Sequence, residues 1–149
     1  MGHVDPTAYK TMLAFEKYFE TAALSKTHRE LIKIRASQIN GCAYCIDMHT
    51  REARQQGETE QRIYALNAWQ DTPFFTAEER AILALTEEMT LIAQKVSDAT
   101  YEQAVSLLGE KYVASVMMAV IAINSWNRIG IATGMQPALQ SQVDRFICQ

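Results

Sequence analysis

The chain has 149 residues, 48% of them apolar, and a net charge of −3 with a pI near 5.6. That length supplies one domain with a substantial core and is short for two. Basic residues are scattered rather than clustered, which gives no electrostatic footprint for nucleic acid or an anionic membrane as partner. The opening MGHVDPTAYK lacks a basic stretch followed by an apolar one, so no secretory signal is expected and the cytoplasm is the expected location.

Every periodic signal is helical, and nowhere do β-branched and aromatic residues alternate with polar ones over a strand's length. The predicted fold class is all-α, a helical bundle of about six to seven helices. Residues 7–23 place Tyr9, Met12, Leu13, Phe15, Phe19 and Ala23 at a period near 3.6, as an amphipathic first helix requires. Residues 28–39 repeat the pattern with Leu31, Ile32, Ile34, Ala36 and Ile39, and Thr27-x-x-Glu30 matches a capping box at their start. Asn40-Gly41 ends that pattern, and a third helix is expected from about Cys42 to Gln56, stopping at Gly57.

A shorter helical segment covers residues 59–69, and Asp71-Thr72-Pro73 breaks it before Thr76-x-x-Glu79 opens a fifth helix expected to bury Ile82, Leu83, Leu85, Met89 and Ile92. Ser97 caps a sixth helix that runs to Leu108 and ends at Gly109. Glu110 or Lys111 then begins the most apolar segment. Tyr112 to Ile123 contains no charge, but its twelve residues fall short of the roughly 18–20 that cross a bilayer. A buried helix is expected there. Its apolar girth calls for neighbours on all sides, which in so small a domain predicts a subunit interface and hence a homo-oligomer. Helical spacing assigns Trp69, Trp126 and the Met117-Met118 pair to packing.

The chemistry concentrates in Cys42-Ala43-Tyr44-Cys45 and His49. At about 100° per residue, Cys42, Cys45 and His49 fall within an arc of about 60° on one helix face. A helix N-terminus carries unpaired N–H groups and partial positive charge, both of which favour thiolate, so a low thiol pKa and an exposed pair are expected. In a reducing compartment two closely spaced cysteines point to redox chemistry or metal binding more than to a structural staple. The third cysteine, Cys148, reads as a bystander.

The array Glu30, eleven residues, Cys42-x-x-Cys45, three residues, His49 resembles the alkylhydroperoxidase D-like branch of the carboxymuconolactone decarboxylase superfamily. The resemblance is close over roughly residues 27–90, through ELIKIRASQINGCAYCIDMHTREARQQG and TAEERAILALTEEMT, and weaker around Asn124-Ser125-Trp126-Asn127-Arg128. It implies an all-helical dimer, trimer or hexamer whose cysteine pair reduces hydroperoxides while cycling between dithiol and disulfide. It also implies that Cys42 and Cys45 are the redox pair and that Glu30 and His49 are a proton-relay carboxylate and imidazole. Within the motif, the well-known peroxidase member has a histidine immediately before the second cysteine, where this chain has Tyr44.

The expected activity is therefore a thiol peroxidase or disulfide reductase acting on hydroperoxides, recycled by a dithiol protein or small thiol and needing no cofactor. The helix terminus favours Cys42 as the attacking thiol, and the i, i+4 spacing to His49 favours Cys45. The reading adopts Cys45, with Cys42 resolving. Glu30 has a competing role, closing the helix end that Thr27 begins. Two other activities stand beside the first. The namesake lactone decarboxylation is a cofactor-free proton transfer that does not need two cysteines. A non-enzymatic metal site would use Cys42, Cys45 and His49, with Cys148, Glu30 or water as a fourth ligand.

Overall fold

The structure is a computed structural model, and it describes residues 5–139. Cys148, a bystander or fourth metal ligand on the sequence reading, lies outside the described residues. Among the described residues the chain is all-α, with seven α-helices, three short 3-10 segments and no strand.

Helix α1 (Pro6–Lys17) starts with Asp5, whose carboxylate accepts from the Ala8 amide, and with Pro6 at the first helical position, where no amide hydrogen is needed. It is shorter than its apolar pattern implies. The chain tightens into a 3-10 turn at Tyr18–Glu20 that tucks Phe19 into the core, and the segment ends before Ala23. Helix α2 (Lys26–Asn40) is capped by Ser25, whose hydroxyl accepts from the His28 amide. The expected Thr27-Glu30 capping box does not form, because Thr27 already lies inside the helix; Glu30 is thereby free for a different role.

Gly41, at φ 72°, ends α2 in the left-handed conformation, and Cys42 follows as the extended N-cap of α3 (Ala43–Gln55). Cys42 thus precedes the first helical residue rather than being it. The turn folds α3 back against α2, which packs also on α5 (Ala77–Thr90) and α7 (Glu110–Ala132). Between these come α4 (Glu60–Ala65), a 3-10 segment at Leu66–Asp71, and α6 (Asp98–Leu108), capped by Ser97 as expected. Thr76 and Glu79 form the predicted reciprocal capping box of α5.

Helix α2 is the centre of the bundle. Leu31, Ile32 and Ile34 are fully buried, each contributing about 1.5–3 kcal/mol of transfer free energy. Buried charges on this helix have partners: Lys33 donates to Glu16 Oε2 at 2.8 Å. Helix α7 buries Val113, Val116, Ala119, Val120 and Ile123 but leaves Ile121 and Ile131 exposed, so it is not enclosed on every side within this chain. Ile92, expected in the core, is exposed because α5 stops at Thr90 and the next residues form the 3-10 turn Ile92–Gln94. Trp69 is buried and donates its indole N–H to Glu87; Trp126 is half-buried and donates to Glu16. Met117 and Met118 pack on the core as predicted.

Candidate active site

Cys42 and Cys45 are joined by a disulfide at the N-terminus of α3, with Cα atoms 5.3 Å apart. Both are buried, at 2% and 3% exposure, where the sequence reading expected an exposed pair. The burial comes from α7, which crosses the pair at Gly130. A Cβ at that position would lie 3.3 Å from Cys42 Sγ and 3.8 Å from Cys45 Sγ, so the absent side chain is what lets the helix backbone approach.

A hydrogen-bond network fixes the turn that carries Cys42. The Cys42 amide donates to the Ser37 carbonyl at 3.0 Å, and the Ser37 hydroxyl accepts from the buried Asn127 amide at 3.0 Å. Asn40 donates to the side-chain oxygens of Asn124 at 3.0 Å and Asn127 at 2.9 Å. Helix α7 therefore holds the last turn of α2 and closes over the sulfurs with the same face. The resemblance around residues 124–128 pointed to this region, but neither its partners nor the approach at Gly130 was readable in the sequence.

His49 follows Cys45 by four residues on α3, placing both on the buried side of the helix. Its Nδ1 lies 2.8 Å from Glu30 Oε2 on α2, a contact between two buried side chains. A carboxylate only accepts, so Nδ1 carries the hydrogen and donates it, leaving Nε2 of the neutral ring free to take up a proton. The two residues meet because Gly41 reverses the chain and lays α3 along α2. Arg29 Nε stands 3.4 Å from the other oxygen of Glu30 and supplies positive charge to the buried carboxylate.

Glu52, which sequence reasoning did not select, also faces His49. Its Oε2 is 3.3 Å from Nδ1, and its side chain is 45% exposed. The i, i+3 spacing on α3 was the available signal. Burial by itself pushes the His49 imidazole down; hydrogen bonds to Glu30 and then Glu52 outweigh it, and the pKa stands above the usual histidine value. The hydrogen bond from His49 holds the Glu52 carboxyl below the usual carboxylate range.

Among the described residues, the metal-capable donors that converge are Glu30, His49 and Glu52, within 4.8 Å of one another. The sulfurs are not in that set; they are bonded to each other. This departs from the Cys42, Cys45 and His49 ligand set considered from the sequence. What the arrangement suits chemically is a dithiol–disulfide couple with a buried imidazole–carboxylate pair on the same helix pairing.

The Carboxymuconolactone decarboxylase family model matches residues 6–88. The chain is 48% identical over 136 residues to the uncharacterized protein YdfG of Bacillus subtilis (strain 168), covering 91% of this chain and 92% of the relative. Among solved structures it is similar to ATU0492 of Agrobacterium tumefaciens, a protein of unknown function provisionally assigned to antioxidant defence as AhpD. That match has a TM-score of 0.90 and 35% identity, over 93% of this chain and 96% of the other. A peroxidase-related protein from Silicibacter sp. TM1040 matches with a TM-score of 0.78 and 26% identity, over 88% of this chain and 70% of that one. From the matched family model, these neighbours and the shared all-helical fold, the chain belongs to the carboxymuconolactone decarboxylase family, in its alkylhydroperoxidase D-like branch.

Proposed function

We propose that this protein is a thiol peroxidase of antioxidant defence, reducing hydroperoxides through a Cys42/Cys45 dithiol–disulfide cycle with Glu30 and His49 as the proton relay. The observation that carries the reading is the disulfide at the start of α3, one helical turn before a histidine that is hydrogen-bonded to a buried carboxylate. The namesake lactone decarboxylation gives no reason for a bonded cysteine pair. The burial of both sulfurs favours a small hydroperoxide, which enters with the least displacement of α7.

In the oxidative half, the Cys45 thiolate attacks the outer peroxide oxygen and the O–O bond breaks. The alkoxide or hydroxide leaves with a proton from His49, and Cys45 becomes a sulfenic acid. The Cys42 thiol then displaces water from that sulfur, forming the disulfide. Two electrons pass from the sulfur pair to the peroxide. Glu30 holds the imidazole with Nε2 free and stabilises its protonated form. Positive potential at the helix N-terminus favours the thiolate. Tyr44, in place of the peroxidase member's histidine, is half-buried against the core and offers no titrating imidazole there, so His49 is the one imidazole the relay uses. A dithiol protein or small thiol in the cytoplasm restores the reduced state.

The test is consumption of hydrogen peroxide and an alkyl hydroperoxide in the presence of dithiothreitol. Turnover is expected to vanish in Cys42→Ser and Cys45→Ser and to fall by roughly 10²-fold, the scale of general acid–base participation, in His49→Ala and Glu30→Ala. Unchanged turnover in either cysteine variant removes the mechanism. A sulfenic acid trapped only on Cys42 reverses the assignment of attacking and resolving thiols. The same reading includes a homo-oligomer, supported by the exposed Ile121 and Ile131 on α7. Sedimentation at micromolar concentration should give a species larger than 16.8 kDa, and a monomer contradicts it.

A further inference from the structure

The buried relay has to exchange protons with solvent. In the reductive half the reductant attacks as a thiolate, having left its proton in solution, and each protein sulfur departs as a thiolate. Two electrons enter the pair, the S–S bond breaks, and the two protons that restore the Cys42 thiol and the imidazolium beside the Cys45 thiolate are drawn from water. Glu30 and His49 are both buried and offer little direct access. On α2, Arg29 faces Glu30 as a fixed positive charge, and Lys33 is turned to Glu16, its Nζ 2.8 Å from Oε2. On α3, Glu52 is different: one carboxylate oxygen reaches His49 Nδ1 at 3.3 Å while nearly half of the side chain meets solvent.

We propose that Glu52 is a positioning residue that couples the buried Glu30–His49 pair to solvent, exchanging its proton through the half-exposed carboxylate. This rests on the peroxidase reading for its consequence but not for its contact. Glu30 Oε2 accepts the Nδ1 hydrogen at 2.8 Å and Glu52 Oε2 stands 3.3 Å from the same nitrogen, so a proton taken up at Nε2 from the sulfur side is balanced by the Nδ1 proton leaving to Glu52, and a protonated Glu52 returns one to Nδ1 as Nε2 gives its own to the leaving oxygen. The outward route runs from Nε2 through the ring to Nδ1–H, then to the Glu52 carboxylate and water, and the inward route is its reverse. The raised His49 pKa agrees with two carboxylates sharing one imidazolium, and Lys33 and Arg29 are the opposing charges on the facing helix.

The experiment compares wild type, Glu52→Gln and Glu52→Asp in the complete chain. Hydroperoxide turnover with dithiothreitol is followed against pH and against imidazole buffer concentration, and the His49 ring is titrated by NMR. Glu52→Gln should lower turnover roughly tenfold, less than the loss of a direct acid–base group. Its rate should climb as imidazole buffer is raised, its pH profile should shift down, and its His49 should titrate at lower pH than wild type. Glu52→Asp should recover most of the rate and of the His49 titration. Wild-type turnover, an unchanged pH profile and no buffer dependence in Glu52→Gln overturn the proposal. So does an unshifted His49 titration. If wild type itself consumes no hydroperoxide, the peroxidase reading fails, and the NMR titration alone then decides whether Glu52 governs the imidazole.

Discussion

Gly130 shows how much one absent methyl group decides. In the interior of α7, glycine costs about 0.5–1 kcal/mol relative to alanine, so the sequence accepts a weaker helix to bring its backbone onto Cys42 and Cys45. In Gly130→Ala the methyl would stand 3.3 Å from Cys42 Sγ, closer than an sp3 carbon and a sulfur rest. The sulfur is held at the other side by its bond to Cys45 and cannot give way as a flexible chain end does. Overpacking of about 1–3 kcal/mol then outweighs the helix gain. Urea unfolding of the oxidised protein should register a net loss of about 1 kcal/mol, and an equal or higher midpoint counts against this packing account. None of this was legible in the residue itself, since a glycine in an apolar helix names no partner. Cys42, Cys45 and His49 were legible because their spacing is local, confined to the N-cap and first two turns of α3. Glu30 needed the family resemblance, because its partner is on another element.

At the scale of elements, the turn between α2 and α3 does more than connect them. Gly41 takes φ 72°, a conformation that costs a side-chain-bearing residue about 1–2 kcal/mol. Directly after it, Cys42 becomes the N-cap, its amide held by the Ser37 carbonyl. That geometry sets where the first sulfur stands and how α3 runs back along α2 to bring His49 to Glu30. Gly41→Ala should therefore lower stability by about 1–2 kcal/mol in thermal or urea unfolding, whereas Gly41→Asn should lose less, asparagine tolerating this region better. Equal losses would place the cost elsewhere. Here the sequence was informative: Asn-Gly at the end of an apolar period marked the stop, and Thr76-x-x-Glu79 marked a start. Thr27-x-x-Glu30 carried the same pattern and did not cap, because Ser25 lies two residues earlier and wins the end of α2. A local motif competes with its neighbours, and Glu30 faces His49 only because that competition went to Ser25.

Across the whole molecule, the buried imidazole links proton binding to folding. His49 holds its proton more tightly in the folded chain than in the unfolded one, where histidine titrates near 6.5. The folded state therefore binds more protons in the window between that value and the raised one. The stability from this pair is present in full below the unfolded pKa and is lost as pH rises through the folded pKa. Glu52 works at the other end: its contribution is present above the ordinary carboxylate range and is lost as pH falls through its depressed value. His28 has the opposite sign to His49. Burial lowers its pKa, so neutral His28 favours the fold and its cost is felt on the acid side. To isolate the buried pair, oxidised wild type and His49→Gln are compared by urea unfolding at pH 6 and pH 9. Glutamine keeps a donor towards Glu30 and does not titrate, while His28 and all exposed groups cancel in the difference. Wild type should exceed the variant by more at pH 6 than at pH 9. A gap that stays constant between the two pH values means that His49 does not carry the extra proton, and the imidazolium–carboxylate description of the site falls with it.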